Sequence, residues 1–298
     1  MRGLLLRAGL HAADFVARLL PSRVAYALAD LGGRAWHRFA APQRREMVAE
    51  NLRRVLAAQG RPAEGRELRR LVERAFVEHA RYWLEVFRIR HYPEERFAEM
   101  LVAEDWERLR PVIASGAVVT VPHLGNFEPF AHFLESEGIS GLSPVEETEP
   151  KELYDFLVKR RLVGGRGIRL VPLSQSIRPM LAALRDGQVV ALAADRDLAG
   201  DGVPVTLFGH PTTLPAGAAT LALRTGRPLL VARALRIGPD RFTATAWPVE
   251  VELTGDRRTD TEALTRAMAA GFERAIAEAP EQWFGAFQPI WRDLPVGS

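Results

Sequence analysis

The chain has 298 residues, 47% of them hydrophobic and 26% charged, which suits a packed globular core and excludes wholesale disorder. It contains no cysteine, so disulfide scaffolds, thiolate nucleophiles and cysteine-type zinc sites are excluded. The formal net charge is +3, and every one of the 40 basic residues except Lys151 and Lys159 is an arginine. Codon usage can produce that bias. Arginines facing anionic lipid head groups or a donor phosphate, which they bind through two parallel donors, can produce it too. The arginines are spread along the chain with acids between them, which argues against a nucleic-acid surface.

The first segment, Leu4 to Leu20, reads as a helix. Arg7, His11, Asp14 and Arg18 recur at spacings of four, three and four, a narrow polar stripe on an otherwise apolar surface. The run is too short and too interrupted to span a bilayer, which takes ~20 apolar residues. It also lacks the uncharged run and cleavage site of a signal peptide. A helix of this kind can lie in a membrane interface, with Leu6 and Leu10 inserted and Arg2, Arg7 and Arg18 at the head groups. It can equally pack on its own protein with the stripe towards solvent. Further helices are expected from Ser22 to Phe39, over 43–58 and over 64–88.

Beyond residue 90 the period changes. Short apolar runs at 117–121, 168–173, 189–194, 229–235 and 242–247 read as strands. Helical patterns lie at 127–137, 151–162, 177–186 and 215–225, and a last long helix at 259–278. This alternation predicts an α/β fold, a central and largely parallel sheet flanked by helices. No repeat or linker divides the chain. One domain over 1–298 is expected, with residues 1–90 a helical, membrane-associating lead-in packed on an α/β core of 91–298.

Ligands of open α/β sheets bind beyond the carboxyl ends of the strands. There, the strand 117–121 runs into Pro122-His123-Leu124-Gly125-Asn126-Phe127-Glu128, and the strand 189–194 into Asp195-Arg196-Asp197. A histidine after a strand is often structural, but this one has a suitable setting. Gly125 permits a tight turn, Asn126 can cap the next helix, and a carboxylate can fix the imidazole tautomer. Imidazole is available as a base near neutral pH, and such a base assists attack by a poorly nucleophilic hydroxyl. The sequence has no Gly-x-Ser-x-Gly elbow, no phosphate-binding loop, no dinucleotide fingerprint and no His-x-x-x-His zinc spacing. A His/acid site without an internal nucleophile suits direct attack by a substrate hydroxyl, with no metal or resident cofactor.

His123-x-x-x-x-Glu128 resembles the His-x4-Asp/Glu motif of bacterial glycerolipid and lipid A acyltransferases, the lysophospholipid acyltransferase superfamily. The block Asp195 to Gly209, followed by Thr213-Leu214-Pro215-Ala216-Gly217, is similar to one in the lipid A lauroyl-acyltransferase group, especially its phosphatidylinositol mannoside acyltransferase branch. Ala80-Arg81-Tyr82-Trp83-Leu84-Glu85 and Gln288-Pro289-Ile290-Trp291 resemble that branch as well, so the likeness runs over nearly the whole chain. The resemblance implies a glycerolipid-acyltransferase-like fold and an acyl-CoA co-substrate, often palmitoyl. It implies a mannose hydroxyl of phosphatidylinositol mannoside as acceptor, at the cytoplasmic face of the cell membrane. By position, His123 is the base, and Glu128 or Asp195 the acid that orients it. Glu146 and Arg161 fall near the acceptor head group, with Arg196 and Asp197 beside them. Arg161 also shares a charged stretch with Lys159 and Arg160, which a solvated helix face would explain. Another lipid acceptor, a thioesterase and a catalytically silent lipid-binding protein remain compatible with the residues.

Overall fold

The computed structural model describes residues 2–147, 152, 154–155, 158, 167–291 and 293, with the backbone alone for residues 2–8, 90 and 94. Four helices open the chain: α1 (Arg2–Leu19), α2 (Ser22–Phe39), α3 (Pro42–Ala58) and α4 (Gly65–Arg88). Their ends follow the local chemistry. Pro21 stands immediately before α2, and Pro42 occupies the first turn of α3, where a missing N–H costs nothing. After α5 (Glu94–Met100) the α/β part begins: β1 (Leu101–Ala103), α6 (Trp106–Ala114), β2 (Val118–Val121), α7 (Glu128–Ser136), β3 (Gly141–Val145), β4 (Ile168–Pro172), α8 (Ile177–Arg185) and β5 (Val189–Ala193). It continues with β6 (Val203–Leu207), β7 (His210–Leu214), α9 (Gly217–Thr225), β8 (Leu229–Gly238), β9 (Arg241–Pro248) and α10 (Arg257–Glu278). The helix expected over 151–162 falls mostly outside the described residues.

Among the described residues, seven strands form one sheet in the order β1-β9-β8-β2-β5-β3-β4. Five of them, from β8 to β4, run parallel, and β9 returns antiparallel to β8. The sheet is therefore largely parallel with helices on its faces, as the alternation of periods predicts. β2 lies in the middle and is buried on both faces. Its Val118 joins the core with α3, α4 and α8 to α10, whereas Val119 and Val121 face the core with Ile113, Phe130 and Phe133.

Four strands were not expected. β1 is three residues long, too short for a period to show. β3 contains Pro144, which reads against an interior strand, but β5 pairs only with Gly141 and Leu142, so the proline lies beyond that ladder. β6 and β7 form a separate hairpin whose turn places Phe208 and Gly209 at φ 51° and 78°, the two positive values that a tight two-residue turn requires. The helix expected from residue 215 accordingly starts at Gly217.

The lead-in helices are tied to the sheet by buried charge. Arg236 of β8 donates to Glu85 of α4 at 2.7 Å through Nη2 and also pairs with Glu78. Burial opposes the charge on Arg236, but the two carboxylates hold its pKa above the ordinary value. Tyr26 of α2 donates to the same Glu85 at 2.6 Å. Arg88, at the end of α4, donates to the carbonyls of Ala17 and Leu20 and so closes the end of α1.

α1 faces the protein with Ala17 and with Asp14, which is buried and lies 3.0 Å from His91. Of the polar stripe, Asp14 therefore faces inwards, whereas His11 and Arg18 are exposed. Phe15, Val16 and Leu19 are each more than half exposed as well. α2 likewise exposes Val24, Leu28, Leu31 and Phe39.

His79 of α4 sits among the rings of Trp36, Phe284 and Phe287, and its Nδ1 is buried without a hydrogen-bond partner. Burial, reinforced by Arg44, lowers its pKa to about 4. In the unfolded chain the imidazole takes up its proton near ~6.5, so the unfolded state binds more protons between these values. Stability is expected to be fully present above that pH and to fall as pH drops towards 4, by on the order of 3 kcal/mol. Urea unfolding at a series of pH values should show this slope in the wild type and lose it in His79→Leu.

Candidate active site

The site follows from strand register. β2 and β5 pair in parallel with Val121 opposite Ala193, and the Ala194 N–H donates to the Val121 carbonyl at 3.1 Å. His123 and Asp195 each lie two residues past that pair, so a separation of 72 positions in sequence becomes direct contact. The Asp195 side chain is fully buried. Its carboxylate accepts from His123 Nδ1 at 2.5 Å, from the His123 main-chain N–H at 3.0 Å and from the indole N–H of Trp283 at 2.9 Å. Burial alone would push this carboxyl up. The neighbouring His123 and the three hydrogen bonds outweigh it and hold the group below the ordinary carboxylate range. With Nδ1–H directed at a carboxylate, the lone pair of the imidazole sits on Nε2.

The turn after His123 is held from three sides. Gly125 adopts φ +62°, and a Cβ there would fall onto the Ala234 carbonyl oxygen. Asn126 is completely buried. Its Oδ1 accepts the Glu128 N–H at 3.0 Å, and its Nδ2 donates to Glu85 at 2.9 Å. The C-terminal segment closes the third side. The Phe284 N–H donates to the His123 carbonyl at 2.6 Å, and Gly125 N–H to the Gln282 carbonyl at 2.9 Å. Gly285 leaves room here, because a Cβ would collide with the Trp283 indole and reach within 2.7 Å of the Asp195 carboxylate.

Nε2 opens on a cavity of about 880 Å³. Val119, Val121, Phe130, Ile168 and Val189 are among its walls, so it is mostly apolar. Ile168 and Val189 begin their strands and His123 follows the end of one. The cavity thus extends along the sheet for at least the length of β5, roughly 13 Å.

The candidate residues distribute as follows. Asp195 is the acid on His123 Nδ1, whereas Glu128 is buried as the first residue of α7 and lines the cavity. Arg196 lies with Nη2 3.5 Å from His123 Nε2 and 3.3 Å from Glu146. Asp197 lines the cavity, and its carboxylate accepts from the N–H groups of Gly200 and Gly202 and from Thr213, which fixes the loop into the β6–β7 hairpin. Arg161 lies outside the described residues, as do the side chains of Arg2, Leu6 and Arg7. Leu10 is half-buried and Arg18 exposed. Among the described residues no cluster of three or more His, Asp or Glu side chains is arranged to hold a metal. Trp283 and Gly285 were not singled out, since neither lies in a motif. Glu85 stood only within a segment quoted for its resemblance.

The model of the bacterial lipid A biosynthesis acyltransferase family matches residues 9–293. The chain belongs to this family. It is 32% identical over 291 residues to the phosphatidylinositol mannoside acyltransferase of Mycobacterium tuberculosis strain H37Rv, covering 94% of this chain and 87% of the relative. It is 30% identical over 283 residues to the protein of that name from Mycolicibacterium smegmatis, with 93% and 88% covered. For this acyltransferase, the His123–Asp195 geometry leads to two expected outcomes. Asp195→Asn should lower the acyl-transfer rate by about 10²–10⁴-fold, since an amide supports the tautomer and charge of the His123 imidazole poorly. Trp283→Phe keeps most of the volume but removes a hydrogen bond to a charged acceptor, generally about 1.5–3 kcal/mol, and should lower kcat about 10–100-fold at unchanged KM. Steady-state kinetics beside thermal unfolding of each variant checks both.

Proposed function

We propose that the protein transfers a fatty acyl chain, palmitoyl in the expected case, from acyl-CoA to a mannose hydroxyl of phosphatidylinositol mannoside. One observation carries the mechanism: Asp195 holds His123 Nδ1, and the basic Nε2 faces an apolar cavity. The described hydrogen bonds of the ring run to Asp195 and Arg196, not to a serine or threonine hydroxyl, so the acceptor itself is the nucleophile. Nε2 takes the hydroxyl proton as the oxygen attacks the thioester carbonyl. An O–C bond forms, the C–S bond breaks, and the proton passes from the imidazolium to the departing thiolate. No acyl-enzyme forms. The apolar cavity walls suit the acyl chain, and the names of the relatives support the mannosylated acceptor.

The enzyme acts from a membrane surface, which we place at the cytoplasmic leaflet. Among the described residues no helix is long and apolar enough to cross a bilayer. The exposed apolar rows of α1 and α2, with Arg18, Arg23, Arg34 and Arg38 exposed on the same helices, support an interfacial position.

The deciding assay follows free CoA and acylated lipid together, with palmitoyl-CoA and phosphatidylinositol mannoside. Wild type should release one CoA per acylated lipid, and His123→Ala should lose both products while still folding. CoA release without lipid product would point to a thioesterase or another acceptor, and full activity in His123→Ala would refute the base.

Membrane attachment is tested separately by vesicle flotation. Substituting Phe15, Val16 and Leu19 by serine should weaken binding to anionic vesicles by roughly 100-fold, at about 1 kcal/mol for each half-exposed side chain. Unchanged flotation would assign attachment to another surface.

A further inference from the structure

The reaction proposed above places negative charge on the former carbonyl oxygen, and that charge needs a donor close to the attacking atom. In many acyl-transfer sites backbone N–H groups of the catalytic turn supply it. In this turn all but the Phe127 N–H are engaged. The His123 N–H is bonded to Asp195, Leu124 to the Pro122 carbonyl, Gly125 to Gln282, Asn126 to Ala234 and Glu128 to the Asn126 side chain. The Ala194 N–H, across the ladder, is bonded to Val121. The side-chain donors beside them are committed too, since Asn126 Nδ2 serves Glu85 and the Trp283 indole serves Asp195.

Arg196 differs. Its Nη2 lies 3.5 Å from His123 Nε2, and its Nε is buried without a hydrogen-bond partner. The side chain lines the cavity and is 23% exposed, so it is largely shielded from water and still reachable by substrate. Glu146 holds the guanidinium from the outer side at 3.3 Å. A hydroxyl bonded to Nε2 would stand about 3 Å from that nitrogen. The carbonyl under attack is adjacent to the hydroxyl, which brings its oxygen within reach of Nη2. A guanidinium is permanently charged and presents several donors in one plane, so it can follow the oxygen from planar carbonyl to tetrahedral intermediate.

We propose that Arg196 is a catalytic residue, the side-chain donor that stabilises the oxyanion of the tetrahedral intermediate, with Glu146 as the positioning residue that aims it. No atom is transferred to Arg196. As the O–C bond forms, the carbonyl π electrons move to oxygen beside the guanidinium, and they return as the C–S bond breaks. This inference rests on the acyl-transfer reading of the same site.

The test compares wild type, His123→Ala, Arg196→Lys, Arg196→Met and Arg196→Ala with palmitoyl-CoA and phosphatidylinositol mannoside. Arg196→Met should lower kcat about 10²–10³-fold, the loss typical of a removed oxyanion donor, with KM for both substrates changed less than about threefold. Arg196→Lys should keep part of the rate, and added guanidinium ion should restore part of it to Arg196→Ala but not to His123→Ala. A rise in KM at unchanged kcat in Arg196→Met would overturn the proposal and make Arg196 a binder of the donor's phosphates or the head group. A fully active Arg196→Met beside an inactive His123→Ala would also overturn it, leaving the charge to a backbone donor such as the Phe127 N–H. Activity retained in His123→Ala would instead strike the base mechanism, and the kcat of Arg196→Met still reads the arginine independently.

Discussion

A carboxylate shut away from water keeps its charge only if hydrogen bonds and an opposite charge replace its hydration, and Asp195 meets that condition through three donors. Each donor comes from a different part of the fold requirement. The main-chain N–H of His123 needs β2 and β5 in register. The imidazole needs the turn through Gly125 to bend back. The indole needs the C-terminal segment to pass beneath both. The carboxylate thus links chemistry and folding, because the same bonds that keep it ionised fix which imidazole nitrogen remains basic.

A second buried charge set ties the turn to the lead-in helices. Glu85 accepts from Arg236, Tyr26 and Asn126, so one carboxylate joins β8, α2 and the turn that follows His123. Such a cluster is weak evidence for net stability, because desolvation opposes it, but losing one partner strands the others. Its consequence here is geometric. The helix exposing Leu28 and Leu31 to its surroundings and the turn bearing the imidazole share a support, so this exposed apolar surface and the site are held in one arrangement.

The cavity completes the division of labour. Its apolar walls come from strand residues such as Val119, Val121 and Val189 and from helix residues such as Phe130 and Met180, and its polar end comes from the loops that leave the strands. Arg196 sits at the junction. It follows Asp195 directly, so the residue that orients the imidazole and the residue that faces its other nitrogen are consecutive in the chain.

Much of this was legible in the sequence, for physical reasons that also explain what was not. Periodicity records burial along one element, so long helices such as α4 and α10 and the apolar strands β2, β5 and β8 were readable. β1 is too short to carry a period, and the β6–β7 hairpin depends on positive φ at Phe208, a residue that does not advertise it. The amphipathic pattern of α1 defined a polar stripe but not its direction, and only packing against His91 turned Asp14 inwards and left Phe15 and Leu19 outside. At the site, the sequence by itself determined the chemistry available: an imidazole, two candidate acids, an arginine and no cysteine, placed after two strands. Tertiary structure alone decided that Asp195 meets Nδ1 and that Trp283 braces it from 88 residues away. Strand register and chain crossing set those contacts, and neither is written in the spacing of residues along one segment.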